Sequence, residues 1–288
     1  MNLKKLMIAE FQLARPFVKW AGSKRQLLPT LEEHLPKEYK NGLNLYYEPF
    51  LGGGSLLFAL QPKKAVINNI NTELINCYRV IKDSVDELID ELRKHEYEKN
   101  HFYAIRDWDR NKNYQEKTPV QRASRTIFLN KTCFNGLHRV NGQGQFNVPF
   151  GKYKNPLILD KNNLLAVNQY LNNNEIVILN LDFQEAVKDA KRGDFIYLDP
   201  PYDPVSQSAK FTKYDKTGFG REEQIRLKKT FDDLNSRGCY VLMSNAYTDF
   251  IVDLYKDYKQ TQVTASRAIN SKADKRGDVY EILVQNYD

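Results

Sequence analysis

Four consecutive residues, Asp199-Pro200-Pro201-Tyr202, combine a carboxylate, two prolines and an aromatic ring directly after the apolar run Asp194-Phe195-Ile196-Tyr197-Leu198. That run, opened by Gly193, reads as a short buried strand. An acid at the carboxyl end of such a strand points into the crevice where open α/β sheets bind ligands. The prolines extend the following backbone and remove its N–H donors, so nearby carbonyls remain as acceptors. Carboxylate, free carbonyl and flat ring together suit a planar base bearing an exocyclic amine. The structural alternative is a strand end, a turn and a surface tyrosine.

Three other segments could carry chemistry. Glu48-Pro49-Phe50-Leu51-Gly52-Gly53-Gly54-Ser55 lies between a strand-like run and the apolar Leu56–Leu60, a place where glycines let backbone approach a ligand. It is not the G-x-G-x-x-G dinucleotide pattern. Pro16-Phe17-Val18-Lys19-Trp20-Ala21-Gly22-Ser23-Lys24 places a tryptophan, two lysines and a glycine in one short turn. The stretch from Phe134 to Tyr153 is a loop by composition, rich in glycine and amides, carrying Arg139 and flanked by aromatics. Arginine reads guanine bidentately, Asn or Gln reads adenine, and apolar groups read the thymine methyl.

The elements that must position these residues follow from periodicity. Strand-like runs cover Asn44–Phe50, Ala65–Ile70, Ile176–Asn180, Phe195–Leu198, Tyr240–Ser244 and Tyr280–Asn286, with helices between them. Capping boxes are predicted at Ser84/Glu87, Thr118/Gln121 (with Pro119 first in the helix) and Asp182/Glu185. A helix over Glu222–Arg237 should stop at Gly238, Asp160 should start another, and Asn71 should cap the helix through Leu74. Strand–helix alternation implies a parallel, doubly wound α/β sheet. The rhythm fails between about 72 and 165, which predicts a mostly helical insertion between the second and third strands.

Composition narrows the classes. The chain has 288 residues, is 41% hydrophobic and carries a formal net charge of +7, enough apolar content for a real core. No stretch approaches the ~20 apolar residues of a membrane span, and the opening Lys4–Ala9 lacks a cleavage site, which reads as an intracellular, cytoplasmic protein. Cys77, Cys133 and Cys239 are scattered and the four histidines are unclustered, so neither a disulfide framework nor a metal site is expected. Residues 101–160 hold ten Lys or Arg against four acids, a surplus that suits either a solvated surface or a polyanion-binding face.

Taken in order from Pro16 nearly to the end, these motifs resemble the Dam-type DNA adenine N6-methyltransferases, in particular the GATC-specific modification enzymes of DpnII-like restriction systems. The resemblance rests on Lys19-Trp20-Ala21-Gly22-x-Lys24, Glu48-Pro49-Phe50-x-Gly52-Gly53-Gly54, and the Asn135-Gly136-Leu137-x-Arg139 loop. It continues through Phe146-Asn147-Val148-Pro149, Asp199-Pro200-Pro201-Tyr202, and Arg276-Gly277 before Glu281-Ile282-Leu283-Val284. It implies a Rossmann-like catalytic domain over 1–71 and 166–288, with a target-recognition domain inserted at 72–165. It implies S-adenosylmethionine as cofactor, with Trp20 and Lys24 near its amino-acid end and Phe50, Gly52 and Gly54 against its backbone. Asn69 would stand at the ribose and Asp182 at its adenine.

Asp199, Pro200 and Tyr202 would form the catalytic set. Double-stranded DNA would be read by Lys19 and Arg139 at guanines, by Leu137 and Pro149 at the thymine methyl, and by Asn135 in the same loop, with Phe134 as a wedge in the stack. A cognate restriction endonuclease is the implied genetic partner. Two residues depart from the family pattern: Ser23 replaces its second glycine, and Asn69 replaces its ribose acid, which bears on cofactor affinity more than on chemistry. Cytosine N4 methylation is the nearest alternative, although such enzymes more often carry Ser-Pro-Pro-Tyr. A DNA-binding protein with a decayed cofactor pocket is the alternative from another class.

Overall fold

The structure is a computed structural model that describes residues 13–41, 44–204, 219–265 and 279–288. Arg276 and Gly277, part of the family pattern, lie outside the described residues. A seven-stranded sheet organises the fold, in the order β3-β2-β1-β4-β5-β7-β6. Its strands are β1 (Tyr46–Glu48), β2 (Lys64–Asn68), β3 (Glu175–Leu179), β4 (Phe195–Leu198), β5 (Tyr240–Ala246), β6 (Lys259–Ala265) and β7 (Val279–Gln285). β1 pairs in parallel with β2 and β4, and β4 with β5. β7 runs antiparallel to both β5 and β6.

The sheet is therefore mixed rather than purely parallel, and β6 lies outside the strand-like runs of the sequence. Its sequence, Lys259-Gln260-Thr261-Gln262-Val263-Thr264-Ala265, offers little apolar signal because it is an edge strand paired on one side only. The interruption of the strand rhythm is as expected: between β2 and β3 the described residues form helices and turns, joined by the isolated bridges Cys133–Phe150 and Val140–Phe146.

The chain divides into two compact units, Met1–Ser23 with Gly52–Lys63 and Asn71–Ile178, and Lys24–Leu51 with Lys64–Ile70 and Leu179–Asp288. In the first, the helix Pro119–Thr132 is nucleated by a full capping box, Thr118 with Gln121, and by Pro119. Ser84 makes no cap hydrogen bond, so the predicted box with Glu87 does not form. Phe102, Ile105, Phe128, Leu129, Phe146 and Val148 make up the core of this unit around that helix.

In the second unit, Tyr47, Ile196, Leu198, Val241, Met243, Ile282 and Val284 bury the sheet against Leu227, Phe231 and Leu234 of the helix Arg221–Ser236. That helix ends at Gly238, whose φ of +76° is the left-handed geometry glycine tolerates. Asp182 caps its short helix through Gln184 N rather than Glu185.

Candidate active site

The catalytic candidates Asp199, Pro200 and Tyr202 directly follow β4 in the second unit, where Ser244 of β5 and Glu281 of β7 meet them. Asp199 follows the fully buried strand Phe195–Leu198, so hydrophobic burial fixes where the carboxylate emerges. Its Oδ1 lies 2.8 Å from Lys24 Nζ and accepts a 3.0 Å hydrogen bond from Ser244 Oγ. Lys24 is itself 5% exposed and stands 4.6 Å above the Tyr202 ring. The Tyr202 hydroxyl donates to Glu281 Oε2 at 2.6 Å. Burial raises the Asp199 carboxyl above its ordinary value, against the opposing pull of the Lys24 ammonium and the Ser244 hydroxyl. Burial, with Asp199 and Glu281 close by, likewise holds the Tyr202 phenol protonated.

The proline turn is pinned from behind. Gln224 Nε2 donates to the Pro201 carbonyl at 2.8 Å, and Asn245 Nδ2 donates to Gln224 Oε1 at 3.1 Å. Buried Asp203 accepts from Thr248 Oγ1 at 2.9 Å and faces Arg221 at 3.5 Å, while its N–H donates to Asn245 Oδ1. The Pro200 carbonyl receives no hydrogen bond among the described residues, so an acceptor beside Asp199 is left open. Of these supports, Glu281 is legible in the sequence only as part of the family pattern, and Ser244, Gln224 and Asn245 are not legible there. Only the polar Ser244-Asn245 pair ending an apolar strand hints at them.

Other candidates in this unit sit at neighbouring strand ends. Phe50 packs on Phe183 with centroids 5.3 Å apart, and Phe219 closes the trio. Asp182 is held by both guanidinium nitrogens of Arg226 at 2.9 and 2.8 Å, and Arg226 lies 4.2 Å over the Phe183 ring. The Asp182 carboxyl is lowered; its partial burial works against the hydrogen bonds from Arg226 and Gln184 that outweigh it. Asn69 follows β2, with its carbonyl accepting from Asn180 Nδ2 at 2.8 Å. Its neighbour Asn68 is the structural one: buried, it donates to the Pro49 and Leu181 carbonyls and accepts from Leu181 N, tying three strand ends together.

In the first unit the glycine turn closes on Trp20. A Cβ at Gly52 would come 2.8 Å from Trp20 Cδ1, and one at Gly54 would come 2.9 Å from the Tyr78 hydroxyl. Both glycines also have positive φ, +53° and +72°, so side chains are excluded twice over. Tyr78 donates to the Gly52 carbonyl at 3.2 Å. Trp20 in turn stacks on His138 with centroids 5.0 Å apart.

The recognition candidates gather around Asn130 and the turn Phe134–Gly136. Asn130 brackets the Lys19 backbone with bonds of 2.8 and 2.7 Å and also donates to the Gly136 carbonyl. Lys19 Nζ lies 4.5 Å over the Tyr153 ring. Phe134 is 49% exposed, Asn135 adopts φ 55°, and the Pro149 carbonyl accepts from Phe134 N. Leu137 packs against the core of this unit. Arg139 is exposed and held by Asn147, Nε to Oδ1 at 2.7 Å.

The basic surplus is only partly a surface. Arg125 pairs with Asp109 at 2.6 Å, Arg110 with Asp107 and Asp109, Arg106 with Asp107, and Arg122 with Glu73. These four arginines stitch the unit together. Lys112, Arg139, Lys152 and Lys154 remain exposed.

A mixed seven-stranded α/β sheet with an acid-proline-proline-tyrosine turn after β4, and a glycine- and amide-rich loop in the other unit, fit an amino-methylating class of transferase. Residues 20–269 match the family of D12 class N6 adenine-specific DNA methyltransferases, and the chain belongs to that family. It is 46% identical over 275 residues to the type II methyltransferase M1.LlaDCHI of Lactococcus lactis subsp. cremoris, covering 95% of each chain. It is 45% identical to the type II methyltransferase M.MjaIII of Methanocaldococcus jannaschii over 95% of this chain and 99% of that one. It is 31% identical to the DNA adenine methylase of Escherichia coli K12 over 93% and 94%. The protein is an adenine-specific DNA methyltransferase, and the cytosine N4 alternative falls with that assignment. Among the described residues no helix is long and apolar enough to cross a membrane, and no cluster of metal-ligating side chains occurs.

Proposed function

We propose that the protein methylates N6 of adenine within GATC in double-stranded DNA, drawing on S-adenosylmethionine, and that it protects DNA from a cognate restriction endonuclease. The observation that carries the chemistry is the Asp199 carboxylate with Oδ1 held by Lys24 and Ser244, next to an open Pro200 carbonyl. The adenine N6 lone pair is delocalised into the ring. Asp199 Oδ2 and the Pro200 carbonyl can accept its two hydrogens and favour the pyramidal amine of the transition state over the planar ground state.

S-adenosylmethionine would supply the methyl group on a sulfonium, whose C–S bond breaks as the N6 lone pair forms the new C–N bond. The chain's residues suit that molecule. Gly52 and Gly54 keep backbone bare where Cβ atoms would fill the turn, Phe50 and Phe183 offer an apolar edge, and Asp182 retains acceptor capacity beyond Arg226. Trp20, Lys24 and Asn69 complete the proposed cofactor set.

Asp199 is the first acceptor for the proton the methylated amine loses. The target base must leave the duplex at a cost of a few kcal/mol, partly offset by stacking on the Tyr202 face opposite Lys24. Segment 72–165 acts as the recognition domain, with Arg139 at a guanine, Leu137 and Pro149 at the thymine methyl, Asn135 in the turn and exposed Phe134 as wedge, while Lys19, from outside it, reads a guanine. Support for GATC is the Asn135-Gly136-Leu137-x-Arg139 loop of the family resemblance, and support for the protective role is the type II naming of two relatives.

The test is methyl transfer from labelled S-adenosylmethionine to duplexes differing only in GATC versus GTTC, with mass spectrometry of the nucleosides. N6-methyladenine confined to the GATC duplex is the expected result; transfer to both duplexes would remove the GATC assignment.

A further inference from the structure

Two buried hydroxyls lie behind Asp199. Tyr197, on β4, is 1% exposed, and Ser244, on β5, is fully buried. The Tyr197 hydroxyl is 3.0 Å from Ser244 Oγ, and Ser244 Oγ is 3.0 Å from Asp199 Oδ1. Phenylalanine and alanine would fill the same space without the desolvation that buried hydroxyls incur. The direction of the chain is set at its end. An ionised carboxylate only accepts, so Ser244 donates to Asp199, and the remaining Ser244 lone pairs accept the Tyr197 proton.

Lys24 also falls on Oδ1, at 2.8 Å. Two donors on one oxygen fix the carboxylate plane, and Oδ2 is the oxygen not engaged among the described residues. The geometry points to Ser244 as a positioning residue, backed by Tyr197, that locks Asp199 with Oδ2 presented to the adenine amine. This rests on the reading of Asp199 as the group that accepts that amine. Lys24 supplies charge on a flexible stem, whereas Ser244 sits on a strand paired residue by residue with β4, Leu198 opposite Met243, so the serine supplies the geometric reference. Burial raises the Asp199 carboxyl, and the Ser244 bond favours its ionised form.

Ser244→Ala should lower kcat by roughly 10- to 100-fold, the loss expected for a hydrogen bond to a charged group. KM for duplex and the dissociation constants for duplex and S-adenosylmethionine, measured by calorimetry, should stay at wild-type values. Tyr197→Phe should lower kcat less, and the double variant should be no slower than Ser244→Ala, because Tyr197 acts only through Ser244. Should Ser244→Ala unfold, Tyr197→Phe, which deletes one oxygen, carries the test through the same split between kcat and KM. A Ser244→Ala or Tyr197→Phe enzyme with wild-type kcat overturns the inference alone, as does a double variant slowed by the product of the two effects. A wild-type chain that binds duplex and transfers no methyl overturns the reading of Asp199 and this inference with it.

Discussion

The Lys24 ammonium lies 2.8 Å from Asp199 Oδ1, with side-chain exposures of 5% and 19%. A lysine that deeply placed is paired or it is neutral. Its motif position suggests a cofactor contact, yet its geometry ties it to the acid and to the Tyr202 ring. Lys24→Met should leave the carboxylate without its cation and raise its proton affinity further. The acid limb of the kcat–pH profile should then move to higher pH than in the wild type. An unmoved limb would detach Lys24 from Asp199 in the working enzyme.

Asp199→Asn keeps shape and removes charge. Turnover should fall by about 10³-fold or more, with duplex affinity unchanged by gel shift. Loss of both together would make Asp199 a structural residue.

Arg139→Ala should relax discrimination at one guanine by about 1–3 kcal/mol, with little loss on other sequences. Because Asn147 holds Arg139 through Nε at 2.7 Å, Asn147→Ala should relax the same position by less. The readout is a competition series of duplexes bearing each base substitution. A uniform loss across that series, with a shallower salt dependence, would reduce Arg139 to a phosphate contact.

Gly52→Ala meets both a left-handed φ and a Trp20 carbon at 2.8 Å. The variant should lose about 1–3 kcal/mol of stability in denaturant unfolding. Gly142→Ala, with open space around it, should be near neutral and serves as the control.

His95 stacks on Phe128 and meets His101 and Ser124 at 3.0 and 2.9 Å. Burial, with His101 adding to it, pushes His95 down to about 4. The unfolded chain therefore binds a proton at His95 near pH 6.5 that the folded chain refuses until about pH 4. Stability should be full above 6.5 and decline as pH falls through that window, by up to about 3 kcal/mol. His95→Gln should flatten the decline in melting temperature between pH 7 and 4.5.

Much of this site is legible in the chain before any coordinates. Asp199, the glycine turn and the Phe134–Tyr153 loop proposed for recognition stand out in the sequence because each carries an unusual local residue pattern. The contacts of Ser244, Glu281 and Asn130 do not, since each acts across the fold on a residue 45, 79 or 111 positions away. Edge strand β6 is hidden by its polar face. The arginines of residues 101–125 are misread from composition, because charge counting cannot tell an internal ion pair from a free surface cation. Ser84 shows the converse error: a capping pattern is present, but the preceding helix ends there and the side chain makes no bond.

The stack of Trp20 on His138 gives the molecule an optical property. Trp20 and Trp108 are the chain's two indoles, and Trp20 sits between the glycine turn and the loop that carries Arg139. An imidazole stacked at 5.0 Å is close enough to modulate indole emission, so emission from this ring reports on that stack. With Trp108 replaced by phenylalanine, indole emission comes from the Trp20–His138 stack alone and needs no added label.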